Sequence, residues 1–215
     1  MKIRKRNFWI LFLWLNLISP WFWVLSRNHR TIKLEKSDFY QLQSPQFISQ
    51  INTFQGEARQ KGWGKWGKLT VNKATWLFRD ALTQYLESFD FHYLFIEGDL
   101  DLKKSTRSTG PIYLSLLPFI VYGFYLNFKK NHYFVSLGIL ASPVLGIFLE
   151  QHYETLSRLP FIIGLAFMAA VGIVSLSCKK GYRSLKVTFI AIFILEFLRF
   201  AHYYFLHYPI LLQVK

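Results

Sequence analysis

Three clusters of ionisable residues hold most of the chemistry available to this sequence. Glu97-Gly98-Asp99-Leu100-Asp101 is the densest acidic run. Acids at alternate positions of extended backbone share one face. There they could accept a proton from a hydroxyl or hold a divalent metal through oxygen ligands. The plainer alternative is a solvated turn, with Gly98 left-handed and Lys103, Lys104 and Arg107 offsetting the acids.

The second cluster is Glu150, His152, Glu154 and Arg158, just before Pro160. An arginine at a membrane boundary can fork to a lipid phosphate or diphosphate. It can equally snorkel with no ligand. A metal held by Glu150, His152 and Glu154 is a further option, with no distinctive ligand spacing behind it. The third cluster is Glu196, Arg199, His202 and His207, inside or at the end of an apolar stretch. Ionisable groups at membrane depth are functional candidates by default. Glu196 and Arg199 stand three apart and could pair along one helix face, or line a polar cavity. No Gly-rich phosphate loop, Ser-His-Asp arrangement or Cys/His zinc spacing is visible.

The elements that must position these groups are mostly apolar. Hydrophobic residues make up 52% of the chain and charged residues 18%, too oily for an ordinary soluble domain. Five apolar stretches cover residues 8–25, 111–128, 133–149, 159–178 and 187–206. Each approaches the ~20 residues that cross a ~30 Å hydrocarbon core. The fold class is therefore all-α and polytopic, with about five membrane helices and one helical lobe between the first two. The divisions are a basic cap and signal-anchor helix (1–25), a lobe (26–110), a four-helix membrane bundle (111–206) and a tail (207–215).

Charge sets the orientation. The N-terminal Lys2, Arg4, Lys5 and Arg6, the pair Lys129-Lys130, and the stretch from Lys179 to Lys186 fall on one side if five segments alternate. The positive-inside rule then places the N-terminus in the cytoplasm and the C-terminus and lobe outside; the membrane is the plasma (inner) membrane if the chain is bacterial. The net charge of +14 is accounted for by these ends and by contact with anionic lipid. Nucleic-acid binding is not expected, because no stacking or helix-turn-helix pattern accompanies the charge. Pro20-Trp21-Phe22-Trp23 stands where a small-residue cleavage site would be. The first stretch is thus an uncleaved anchor with tryptophans at the outer boundary. Cys178 has no second cysteine to pair with.

Within the lobe, Ser44-Pro45 signals a helix start, and Phe47, Ile48, Ile51 and Phe54 recur at helical spacing until Gly62. A second helix covers 72–89, with Trp76, Leu77, Ala81, Leu82, Tyr85, Leu86 and Phe89 on one face. So small a lobe cannot bury both apolar faces and must dock on the membrane helices or on another protein. The short connections after residue 110 predict that spans two to five pack as sequential antiparallel neighbours.

Several motifs together resemble a known family. They are Asn72-Lys73, the run from Tyr85 through Phe89, Leu94 and Phe95 to Glu97-Gly98-Asp99, and the run from Ser105 through Gly110, Tyr113 and Leu114 to Pro118. Ser157-Arg158-Leu159-Pro160 follows, and then Glu196 through Phe200, His202, Tyr204, Phe205 and His207 to Tyr208-Pro209. In this order, from the first helix to about Pro209, they resemble the C-terminal half of bacterial membrane glycosyltransferases of the dolichyl-phosphate-mannose protein mannosyltransferase type, in the GT-C superfamily.

The resemblance implies transfer of a sugar from a polyprenyl-phosphate carrier to an acceptor on the outer face. The phosphate is the leaving group, and a cation beside it would stabilise developing charge. Arg158 is the expected contact. The family's catalytic acids lie in the first outer loop of an N-terminal helical module, to which Glu97 and Asp99 do not correspond. The expected function is therefore a split or truncated partner of such an enzyme, inactive alone and completed by a separate N-terminal module. A non-catalytic membrane subunit that binds lipid phosphate is the alternative, with a small transporter component behind it. No cofactor is assigned; a divalent metal remains open.

Overall fold

The computed structural model describes residues 5–28, 45–62, 66, 72–147, 155–177 and 183–213. Among them every regular element is a helix. Chain order gives α1 (Lys5–Ile18), α2 (Pro20–Asn28), α3 (Pro45–Gln60), α4 (Lys73–Glu87) and α5 (Leu117–Lys129). Then come α6 (Tyr133–Ala141), α7 (Pro143–Ile147), α8 (Leu159–Ser177), α9 (Arg183–His202) and α10 (Tyr208–Gln213). Glu150, His152, Glu154 and Cys178 lie outside the described residues.

Among the described residues two helical stretches are long and apolar enough to cross a membrane, Leu159–Ser177 and Lys186–Gln213. The second joins α9 to α10 through a π-helical turn, Tyr203–His207. A third is available if α1 and α2 count as one span, although they meet at a bend of 57°. Proline causes the bend. Pro20 has no N–H to continue the helix and disfavours helical backbone at Ser19. Ser19 Oγ donates back to the Leu15 carbonyl at 2.5 Å, and Trp23 Nε1 donates across the bend to the Leu17 carbonyl at 2.8 Å. The expected second and third spans, Leu114–Lys129 and Tyr133–Ile147, are shorter. At 1.5 Å per residue the first reaches only about 24 Å, and the described part of the second about 22 Å. Pro143 interrupts the latter, leaving Ser142 to bond the Ile139 carbonyl at 2.6 Å.

Helix α8 is the hub. It packs on α5, α1 and α6, so the bundle is not a simple series of sequence neighbours. Small residues explain this arrangement. A Cβ added to Gly123 of α5 would lie 2.1 Å from the Met168 carbonyl oxygen of α8, and one added to Gly172 would lie 2.2 Å from that of Phe119. Glycine on each helix lets the other backbone approach, which is how helices gain packing contact inside a bilayer. Phe8 and Phe12 of α1 meet Phe167 edge-to-face at 5.2 and 5.9 Å.

Helix α4 starts where expected. The Asn72 side chain accepts the Thr75 N–H at 2.9 Å, and Thr75 Oγ1 accepts the Asn72 N–H at 3.0 Å. This reciprocal cap satisfies two donors that a helix start leaves open. The C-terminal part of α4 docks on the bundle: the Tyr85 hydroxyl donates to the Leu140 carbonyl at 3.1 Å, and Phe89 packs on Phe161 at 4.9 Å. Only part of the expected apolar face is used, since Leu82 and Leu86 stay exposed.

Candidate functional site

Residues 97–113 lead from the segment after α4 towards α5, over the end of the bundle where α2, the turn before α8 and the end of α9 also meet. Gly98 is left-handed at φ 78°, and a Cβ there would strike Ser105 Oγ at 2.4 Å. The reversal separates the two acids that extended backbone would have placed on one face. Glu97 is exposed and lies 3.6 Å from the equally exposed His92. A pair so placed contributes little. Asp99 is only 3% exposed. Its Oδ2 accepts the Thr155 N–H at 2.9 Å and the Thr155 hydroxyl at 3.4 Å, while Oδ1 accepts the Asp101 N–H at 3.0 Å. A carboxylate holding two backbone donors is well placed to cap a turn and poorly placed to take a proton from a ligand.

Thr155 leads to the second cluster. The Tyr93 hydroxyl donates to Thr155 Oγ1 at 3.5 Å, and the Arg158 guanidinium lies over the Tyr93 ring, 4.9 Å from its centre. Arg158 is 4% exposed. It donates to the Glu87 carbonyl at 3.2 Å and pairs with the Glu87 carboxylate at 3.5 Å. Burial pushes the Tyr93 phenol well above its ordinary range, an effect that the nearby Arg158 partly offsets. The phenol therefore stays protonated and serves as a donor. Glu87, Arg158, Tyr93, Thr155 and Asp99 form one polar chain from the end of α4, past the start of α8, to the 97–113 loop. Sequence spacing shows neither Glu87 nor Thr155 as part of it.

Glu196 and Arg199 reach different partners rather than each other. Glu196 Oε2 accepts the Ser115 N–H at 2.9 Å, at the first turn leading into α5. An acid there meets unsatisfied donors and the positive end of the helix dipole, which offsets its placement in an apolar segment. Arg199 is exposed and donates to the Ser108 carbonyl at 3.3 Å. Arg107, next in the chain to Ser108, is also exposed, has φ 57°, and donates to the Leu100 carbonyl. His202 is exposed, with its ring 5.5 Å from that of His207. Among the described residues no three His, Cys, Asp or Glu side chains gather as metal ligands.

Tyrosines secure the same loop from the other side. The Tyr208 hydroxyl donates to the Leu102 carbonyl at 2.6 Å and accepts from Asn28 Nδ2 at 2.5 Å. Asn28 also donates to the Lys103 carbonyl at 2.8 Å. Tyr204 and Tyr208 stack at 5.6 Å, and the Arg27 guanidinium lies 5.6 and 5.9 Å from their ring centres. Four-residue spacing and the aromatic-rich tail were visible signals for this brace; the partners on α2 were not. The geometry thus offers a well-braced loop with Arg107, Arg199 and His202 exposed, and with its buried carboxylate bonded inward. The chain matches no protein-family model, no curated protein and no solved structure.

Proposed function

We propose that this chain is a membrane-embedded partner of a glycosyltransferase that draws sugar from a polyprenyl-phosphate carrier, and that it helps hold the carrier but supplies no catalytic acid. The observation that carries this reading is the division of charge at the loop end of the bundle. Asp99 and Glu196 are bonded to backbone donors, and Arg158 is paired with Glu87, whereas Arg107 and Arg199 remain exposed. Each guanidinium has five N–H donors, so its bond to a backbone carbonyl leaves capacity for a phosphate. A phosphate reaching Arg158 would have to displace a carboxylate. Arg107 and Arg199 face no such competitor in the contacts described above.

In this reading all five apolar segments lie across the membrane, with the N-terminus cytoplasmic and the braced loop on the outer face. The two short segments are accommodated by local thinning and by flanking residues that snorkel, both of modest cost. The carrier's tail then runs along apolar helices while its head meets the loop. The catalytic acid comes from outside these 215 residues.

The test uses the chain in nanodiscs with labelled polyprenyl phosphate and a polyprenyl-phosphate sugar donor. Binding without sugar transfer is expected. Replacing Arg107 and Arg199 together by Ala should weaken binding by about 1.5–3 kcal/mol, the scale of a charge-assisted hydrogen bond. Turnover by the isolated chain, lost in Asp99→Asn, would overturn the non-catalytic assignment. Unchanged carrier affinity in the double variant would remove the phosphate site.

A further inference from the structure

Between α9 and α10 the backbone departs from α geometry, and the departure brings two histidines together. In a regular α-helix, residues five apart point about 140° away from each other. His202 and His207 stand five apart, yet their ring centres are 5.5 Å apart and their planes meet at 57°. The π-helical turn Tyr203–His207 is the cause. Its i→i+5 bonding, made where the Tyr208 N–H donates to the Tyr203 carbonyl, stacks such residues on one side of the helix. Pro209 has no N–H, so an unbroken α ladder could not run through this point. Turns of this kind are frequent at functional sites.

Both rings are exposed, and neither imidazole makes a hydrogen bond among the described residues. His207 also touches the Tyr203 ring at 5.4 Å. A neutral imidazole keeps one lone-pair nitrogen. Two such nitrogens can share one ion. With metal–nitrogen bonds of about 2.0–2.1 Å and a tetrahedral angle, the ring centres lie about 5 Å apart. The observed separation needs only a small side-chain rotation to meet that. The stretch Lys186–Gln213 has 28 residues, about 42 Å at 1.5 Å per residue, against a hydrocarbon core of ~30 Å. The histidines lie beside the polar loop, where Arg199 donates to the Ser108 carbonyl, and so in the part that reaches water.

The ligand atoms select the ion. Imidazole nitrogen suits zinc, copper and nickel, whereas magnesium and calcium take oxygen ligands. No third His, Cys, Asp or Glu joins the pair among the described residues. Water therefore completes the shell, and the site is open and exchangeable rather than a closed structural one. Arg199, three positions before His202, opposes a cation and keeps the affinity modest, although its guanidinium is held at the Ser108 carbonyl. We infer that His202 and His207 form a chelating pair for a divalent transition metal, zinc or copper, clasped across the π-helical turn. This site stands whether or not the loop holds a carrier.

The full chain, purified in a neutral maltoside detergent with a tag free of histidine, is titrated with Cu²⁺ and followed by electron paramagnetic resonance. One ion per chain should show two equatorial imidazole nitrogens. His202→Gln and His207→Gln should each abolish that two-nitrogen signal. The side chains are exposed, so both variants should fold, and their melting curves without metal check this. Zn²⁺ should raise the melting temperature of the wild type, as any ligand of the folded state does, and should leave both variants unmoved. Mg²⁺ should move none of the three. A wild-type signal from one nitrogen or none would overturn the proposal. So would a two-nitrogen signal that survives either substitution, because the ion would then sit on other histidines. A Zn²⁺ shift shared by the variants, or matched by Mg²⁺ in the wild type, would equally overturn it.

Discussion

The Asp99 carboxylate accepts the backbone N–H of Thr155 at 2.9 Å, joining two segments 56 residues apart. Thr155 is 1% exposed and Asp99 3%. One end of the bond lies in the loop that leads into α5, the other in the turn that leads into α8. The backbones of those two helices approach each other closely at Gly123 and Gly172. A charged acceptor at their shared entrance therefore sets how the loop sits before the helices meet.

Asp99→Asn tests whether this bond is structural. Asn keeps one acceptor oxygen but must turn an NH₂ towards one of two backbone donors. The cost should be about 1.5–3 kcal/mol, the range for hydrogen bonds to charged groups. Thr155→Ala should cost less, because the backbone N–H remains and the two bonds that disappear, to Asp99 at 3.4 Å and from Tyr93 at 3.5 Å, are long. Chemical unfolding in mild detergent gives both values. A fully stable Asp99→Asn protein would return Asp99 to the list of residues available for chemistry.

Arg158 and Glu87 separate a fold role from a ligand role. The arginine is 4% exposed, and its carboxylate partner lies at the end of α4. Removing one member of a buried pair leaves an uncompensated charge and costs about 3–5 kcal/mol. Because the Glu87 side chain is 18% exposed, Glu87→Gln should fall below that range. Arg158→Met combined with Glu87→Leu should recover much of the loss, since well-packed apolar replacements are often neutral. Melting curves of the two variants and the wild type check this. If Glu87→Gln left stability unchanged and raised carrier affinity, Arg158 would instead be a phosphate ligand held in check by Glu87.

The limits of reading the sequence follow from the range of each interaction. Helix starts are local, so Pro45 and the Asn72 cap were visible, as was the apolar stretch that became α8. The break at Pro20 was legible as chemistry but was read as a boundary anchor rather than as a bend. The partner of Glu196 was not legible. Three-residue spacing pointed to Arg199, whereas the carboxylate is held by the Ser115 N–H 81 residues away. A local pattern reports which groups can meet on one helix and says nothing of a donor brought in by another. The same limit hid Glu87 beneath Arg158 and Thr155 beneath Asp99. The interruption at Pro143 was not read either, because composition continues through a break in the backbone.

The α5–α8 contact gives the sharpest stability prediction, because its glycines face backbone rather than flexible side chains. A Cβ at Gly123 or Gly172 would lie within 2.2 Å of a carbonyl oxygen on the opposite helix. Side-chain rotation cannot relieve that clash, so the helices must separate and give up contacts on both sides. Overpacking typically costs 1–3 kcal/mol, and a backbone clash should reach the upper end, about 3 kcal/mol, for Gly123→Ala or Gly172→Ala. Gly138→Ala on α6 is the control: nothing lies within 4 Å of its added Cβ, and helix propensity favours alanine by about 1 kcal/mol. Thermal unfolding in one detergent should rank Gly138→Ala at or above wild type and both α5–α8 variants well below it. If Gly123→Ala melts with wild type, the close approach of α5 and α8 is not what holds the bundle together, and the hub assigned to α8 fails with it.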